Sequence, residues 1–275
     1  MNLSLNRVSK KTKIRHRNEI NNTFSSLPLA ARRILFMAMA QLDSKDSLTE
    51  GQVFRVSASE YSNIADVDVS VAYKQMKEGV SELQSSVIKI KQSQLIKDIP
   101  NLNLKKDSLL SLNLTDYCVY TESEGYIDIV FSRSIEPYIT KLKDSYTSQV
   151  LISSVRLTDS NASTFYQYLR KKISEGKLKG FDVGVTELKD ELGLYGFSDD
   201  DVNQRLYYYP QFKDFNKDFL SKNIAKISNL TEIKNLKFSI IEKQGRKASK
   251  LRFSYKIDKE SEGDDYRIPK GFRGA

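Results

Sequence analysis

Phe54, Val56, Ser59, Glu60 and Tyr61 are matched, at one constant offset, by Phe181, Val183, Thr186, Glu187 and Leu188. In both copies two apolar residues alternate as a strand does. A hydroxyl residue suited to capping a helix follows, with a glutamate for the first turn. A strand running into a short capped helix is what opens a helix-turn-helix. The match is short, and the order of elements around it gives it weight: helix, strand, two helices and a hairpin appear in each half, which is the winged-helix order. The chain therefore reads as an α+β protein, with tandem winged-helix (helix-turn-helix) domains and small antiparallel hairpins.

In the first half, Leu27 to Leu42 reads as a helix with Pro28 at its start. Val53, Phe54 and Val56 form a short strand, and Ser57 or Ser59 caps a helix through Ala65. A second helix spans about Val69 to Ser85, where Val69, Ala72, Met76, Val80 and Leu83 make one apolar stripe. Strand-like runs follow at Val87 to Ile90, Leu109 to Leu114 and Tyr126 to Phe131, with a loop at Ser93 to Lys106 containing Pro100. In the second half, Asp159 caps a helix to about Ile173 that carries Phe165, Leu169 and Ile173 on one face. Phe181, Val183 and Val185 alternate as a strand, Thr186 caps Glu187 to Leu192, and Gly193 stops that helix. A longer helix runs from near Pro210 to about Ile227, and two strands, Leu236 to Ile241 and Leu251 to Ile257, join through Gly245. The expected division is a basic arm over 1–18, winged-helix domains over 19–142 and 143–258, and a polar tail over 259–275. The boundary falls near Pro137 to Gln149.

A chain of 275 residues with 39% hydrophobic and 29% charged residues has room for two cores. No run approaches the roughly 20 apolar residues that span a membrane. Ala30 to Ala40 is interrupted by Arg32 and Arg33 and reads as a buried helix. The opening residues lack a signal peptide's apolar stretch, so a cytoplasmic location and no membrane partner are expected. The net charge of +9 favours polyanions. Arg7, Lys10, Lys11, Lys13, Arg15 and Arg17 all precede the first acid, Glu19, as a mobile basic arm that either binds phosphate or only solubilises.

In a helix-turn-helix the second helix offers its exposed side chains to base edges in the major groove. On the Val69 helix, Ser70, Lys74, Lys77 and Ser81 fall together beside the apolar stripe, with Glu78 and Glu82 on the other flank. Tyr73 lies between core and basic flank, placed either to pack or to reach a base. On the second long helix Phe212, Phe215 and Phe219 are core, and Lys213, Asn216 and Lys217 are the candidate contacts. Around Gly245, Lys243, Arg246, Lys247, Lys250 and Arg252 form a wing suited to phosphate, or alternatively an edge hairpin guarded by charge.

No catalytic centre and no cofactor or metal are expected. His16 is the only histidine and sits in the arm, which leaves no Ser-His-Asp set or multi-histidine metal site. Cys118 is the only cysteine and reads as a small packed side chain. No phosphate-loop motif is present. Tyr207, Tyr208 and Tyr209 invite comparison with strand-cleaving tyrosines, but the histidines that would bind the accompanying metal are missing. Asp199, Asp200 and Asp201 read as a polar loop.

These residues resemble the iteron-binding plasmid replication initiators, which have paired winged-helix domains. Ala72-Tyr73, Met76-Lys77-Glu78, Val80 and Leu83 resemble that family's Ala-Tyr pair and Lys-Glu-x-Val-x-x-Leu helix. Gly125, Ile127, Ile129 and Phe131, then Pro137-Tyr138, are similar to its strand and junction. Arg156-Leu157, Tyr166 and Leu169 resemble the opening of its second domain. Ile224 to Leu230, then Lys243 through Lys247 and Phe253, resemble its closing helix and hairpin. Thr158 and Ile227-Ser228 depart from the common pattern. The resemblance spans about Asn18 to Ile257. It implies a bacterial protein that binds repeated origin sites in double-stranded DNA and opens nearby DNA. It further implies recruitment of host initiator and replicative helicase, monomer/dimer self-association, and repression of its own gene. A repressor with no replication role, a nicking or transposase-type enzyme, and a basic module that touches only protein remain the alternatives.

Overall fold

The computed structural model describes residues 8–43, 46–95, 103–198 and 204–261. Arg7, Pro100, Asp199 to Asp201 and the tail from 262 lie outside the described residues. The chain enters through β1 (Lys13–Arg17), then α1 (Asn21–Ser26) and α2 (Leu29–Met39). β2 (Val53–Ser57), α3 (Ala58–Ala65) and α4 (Val69–Gln84) follow. After them come β3 (Val87–Lys91), β4 (Leu109–Asn113), β5 (Thr115–Thr121), β6 (Tyr126–Phe131) and α5 (Glu136–Ile139). Two joining elements, β7 (Tyr146–Val150) and α6 (Leu151–Arg156), precede the second half. That half contains α7 (Ser160–Ser174), β8 (Gly180–Gly184), α8 (Val185–Glu191), β9 (Tyr195–Phe197), β10 (Arg205–Tyr207) and α9 (Phe212–Asp214). A π-helical turn (Phe215–Leu220) then leads into α10 (Ser221–Leu230), β11 (Ile233–Gln244) and β12 (Lys247–Ile257).

The duplication is a structural one. β2 pairs antiparallel with β6, and β8 pairs antiparallel with β12, in each case the second strand of the wing and the middle strand of its sheet. Phe54 opposes Ile129 in the first sheet and Phe181 opposes Phe253 in the second, all buried. On the outward faces Arg55 chelates Asp128 through two 2.7 Å hydrogen bonds. At the matching position Asp182 receives two 2.7 Å bonds from Arg252. The same rung carries the same fork with donor and acceptor exchanged.

Local chemistry sets the helix starts. Ser57 caps α3 in a reciprocal box with Glu60: the Glu60 N–H donates to Ser57 Oγ at 3.3 Å and the Ser57 N–H donates to Glu60 Oε2 at 2.9 Å. Asp159 caps α7 by accepting from the Ala162 N–H at 3.0 Å. The expected Thr186 cap is corrected: α8 begins at Val185 with Gly184 as its N-cap, and the Glu187 carboxylate accepts from the Gly184 N–H at 3.4 Å. Placing the cap two residues earlier lets Val185 turn into the helix instead of extending β8.

Residues 13–17 are not the mobile arm expected of them. β1 pairs with β7 along its whole length and buries Ile14 and His16 by strict alternation. With its proton on Nδ1, His16 donates to the Arg17 carbonyl at 3.2 Å, and its Nε2 accepts from Gln149 Nε2 at 3.0 Å. Burial pushes its imidazole down to about 4, so it is neutral.

Among the described residues the buried apolar side chains form two clusters that divide between Val155 and Leu157, whereas the expected boundary lies at 142/143. The halves are tied at this joint by polar groups. Arg32 donates to Leu27 O at 3.1 Å, to Ser25 O, and across to Thr164 Oγ1 at 3.4 Å. Gln167 Nε2 donates to Asn21 O at 2.9 Å, and Arg156 Nε donates to Ile64 O at 3.2 Å.

Candidate nucleic-acid interface

α4 buries Ala72, Met76, Gly79 and Leu83. The expected stripe included Val69 and Val80, and that is corrected: Val69 is 49% exposed and Val80 is only half-buried. Gly79 decides the rotation. A Cβ there would lie 2.9 Å from both Ala30 C and Ala31 N, so its absence lets α4 seat directly on the α2 backbone. At about 100° per residue, moving the buried line from Val80 to Gly79 turns Ser70, Lys74, Lys77 and Ser81 from the flank to the pole opposite the core. All four are exposed there. Glu78 and Glu82 are exposed to one side of them.

Tyr73 settles against the first wing. Gly125 occupies the left-handed region at φ +65°, and a Cβ on it would lie 2.6 Å from Tyr73 Cζ. The ring therefore packs on the wing turn while keeping part of its surface open. Lys77 Nζ donates to Glu122 Oε1 at 3.1 Å, from the recognition-type helix to the same wing.

In the second half the helix from Phe212 to Leu230 contains the π-helical turn, which inserts one residue into the usual spacing. Phe215, Phe219, Leu220, Asn223 and Ile227 are buried, and Phe212 is only half-buried. Lys213 and Lys217 are exposed and have no ion-pair partner among the described residues. Asn216 is half-buried and its Oδ1 accepts from Ser221 Oγ at 2.9 Å, so its amide is partly engaged. Ser221 and Lys222 share the exposed side and were not anticipated. Regular helical spacing carries no signal for the inserted residue that turns them outward.

The second wing turns at Gly245, φ +60°. Lys243, Arg246 and Lys247 stand exposed around it. Lys250 does not belong with them as expected: it is half-buried and donates to Glu242 at 3.1 Å. Arg252 is held by Asp182, which raises its pKa through hydrogen bonding. The free charge of the wing is concentrated at its tip.

Of the tyrosines weighed for catalysis, Tyr208 is exposed and the other two make packing and hydrogen-bond contacts. Tyr207 Oη donates to Asp190 at 2.8 Å, beside Arg205, which also binds Asp190 and stacks over Tyr195. Tyr209 packs on Phe215 and Phe219, and its carbonyl accepts from Lys189 Nζ at 2.7 Å. The Cys118 thiol is pushed up to about 12 by burial on β5. Among the described residues no group of three or more His, Cys, Asp or Glu side chains is arranged to hold a metal ion. No helix among them is long and apolar enough to cross a membrane.

Comparison with known proteins agrees with this geometry. The family model described as initiator replication protein, WH1, matches residues 13–170, and that described as initiator Rep protein, WH2, matches residues 200–255. The chain is 42% identical over 267 residues to the PI protein of Escherichia coli, covering 94% of this chain and 87% of that one. A solved structure, the Pi initiator protein in complex with iteron DNA, superposes with a TM-score of 0.83 at 41% identity, covering 92% of this chain and 100% of that one. The two winged helices deduced from the duplicated sequence pattern are thus the two domains of a known architecture.

Proposed function

This chain belongs to the initiator replication protein family, and on that premise we propose that it binds repeated origin sites in double-stranded DNA to start plasmid replication. The observation that carries the reading is the likeness over nearly the whole chain to a protein solved on iteron DNA. The exposed cations at the pole of α4, on the helix from Phe212 and at the second wing support the same interface.

In this reading α4 enters one major groove with Ser70, Lys74, Lys77 and Ser81. The second long helix enters the next groove with Lys213, Asn216 and Lys217. Lys243, Arg246 and Lys247 grip phosphate, and Lys250 supports the wing from its base. Tyr73 sets the wing against α4 and keeps its exposed edge toward the base pairs. The protein acts by binding and not by catalysis, in the bacterial cytoplasm. It opens adjacent DNA, brings in host initiator and helicase, represses its own gene, and changes between monomer and dimer.

The test is genetic. A replicon carrying only this gene and its adjacent tandem repeats is introduced into cells that supply no other initiator. Maintenance that depends on both gene and repeats supports initiation. Repeat binding without maintenance would leave a repressor.

A further inference from the structure

The two wings carry opposite charge. The second presents Lys243, Arg246 and Lys247 at its tip, whereas the first, at residues 121–125, presents Glu122 and Glu124 and no cation. A wing beside phosphate is expected to be basic, so the acids need an explanation. The first turn is firmly held. The N–H groups of Glu124 and Gly125 both donate to Thr121 O, at 3.3 and 2.8 Å. Gly125 O accepts from the Ala58 N–H at 2.7 Å, and Tyr73 covers its Cα side. The turn places Glu122 beside α4, where it accepts from Lys77 Nζ at 3.1 Å, with 64% of the Lys77 and 70% of the Glu122 side chain exposed.

We propose that Glu122 attenuates DNA affinity: it occupies Lys77 in the free protein and so competes with phosphate for that lysine on any sequence. This rests on α4 entering the groove. The competition is set in the free protein, so it lowers affinity for repeat and random sequence alike. Base contacts from the same helix add to binding on a repeat without relieving that cost. An exposed ion pair of this kind contributes little to folding, and the cost it sets on binding is correspondingly small. The second wing, with no such acid at its tip, meets phosphate without a competing carboxylate.

Fluorescence anisotropy with a repeat duplex and a scrambled duplex, over a range of salt concentrations, tests this on the full chain. Glu122→Gln should tighten scrambled and repeat DNA by a similar factor, about two- to fivefold, leaving the ratio between them little changed. Its log affinity should fall more steeply with log salt, by about 0.9 for one further phosphate neutralised. The gain should vanish when Lys77→Ala is also present. Glu124→Gln, which removes equal charge from the same turn without touching Lys77, should have the smaller effect. Equal effects of the two glutamate variants, or a gain that persists without Lys77, overturn the proposal. If Lys77→Ala weakens binding but Glu122→Gln changes nothing, the proposal fails while the groove reading stands. If Lys77→Ala leaves both affinities intact, the groove reading fails and the proposal with it.

Discussion

Arg170 and Glu232 lie 3.1 Å apart with only 4% and 1% of their side chains exposed. The same arginine donates through Nε to Ser148 O on β7 at 2.6 Å. Glu232 also accepts from Ser153 Oγ on α6 at 2.6 Å and from Tyr166 Oη at 2.9 Å. The second domain is thus joined to the strand and helix that follow the first by a buried, fully bonded charge pair.

Breaking such a pair from one side leaves an uncompensated buried charge. Glu232→Ala should lose roughly 3–5 kcal/mol of stability, read from urea denaturation. Arg170→Met combined with Glu232→Leu should cost less than the two single changes together, because neither charge is then left alone.

Gly79→Ala tests how α4 is seated. The added methyl meets Ile34 Cδ1 at 2.6 Å, and Ala30 C and Ala31 N at 2.9 Å. Backbone atoms cannot move aside as a side-chain tip can, so roughly 1–3 kcal/mol should be lost to overpacking. Thermal denaturation reads the loss. DNA binding should weaken as well, because the cationic pole of the helix is displaced.

His16 makes stability depend on acid. Its folded imidazole is pushed down to about 4 from 6.5 by burial. Between those values the unfolded chain binds more protons, so acid favours unfolding. This contribution is fully present above pH 6.5 and is lost as pH falls toward 4, for a total of roughly 3 kcal/mol. Denaturation midpoints measured across that window should fall in the wild type and much less in His16→Gln.

The second wing should govern salt dependence. Replacing Lys243, Arg246 and Lys247 by alanine should flatten the log affinity against log salt slope by about 0.9 for each phosphate no longer neutralised. Lys250→Ala, whose partner is Glu242, should change the slope less. Titration of one repeat duplex in rising salt distinguishes the two.

The fold was legible where short-range chemistry determines it. Apolar alternation at Phe54/Val56 and Phe181/Val183 and the glycine at 245 each imply one local geometry, and each is found, while the cap of α3, left between Ser57 and Ser59, is Ser57. What could not be read depended on distant partners. β1 exists only because β7 lies beside it, more than a hundred residues along, so its lysines and arginines resembled a tail. The rotation of α4 turns on whether Gly79 or Val80 meets α2, and hydrophobicity alone favours the valine. Lys250 looked like part of the wing tip because the turn register that brings it to Glu242 is not visible in the run of charges. Arg32 and Arg33 were correctly placed in a buried helix, but their bonds across the joint need both domains.

The central claim is that two helices, one per domain, read successive major grooves of one repeat. Methylation interference at guanine N7 on a single repeat measures this directly, since that atom lies in the major groove. Two clusters of interference should appear about one helical turn, roughly 34 Å, apart. Lys74→Ala with Lys77→Ala should erase one cluster, and Lys213→Ala with Lys217→Ala the other. A single cluster, or two clusters untouched by either pair of substitutions, would contradict it.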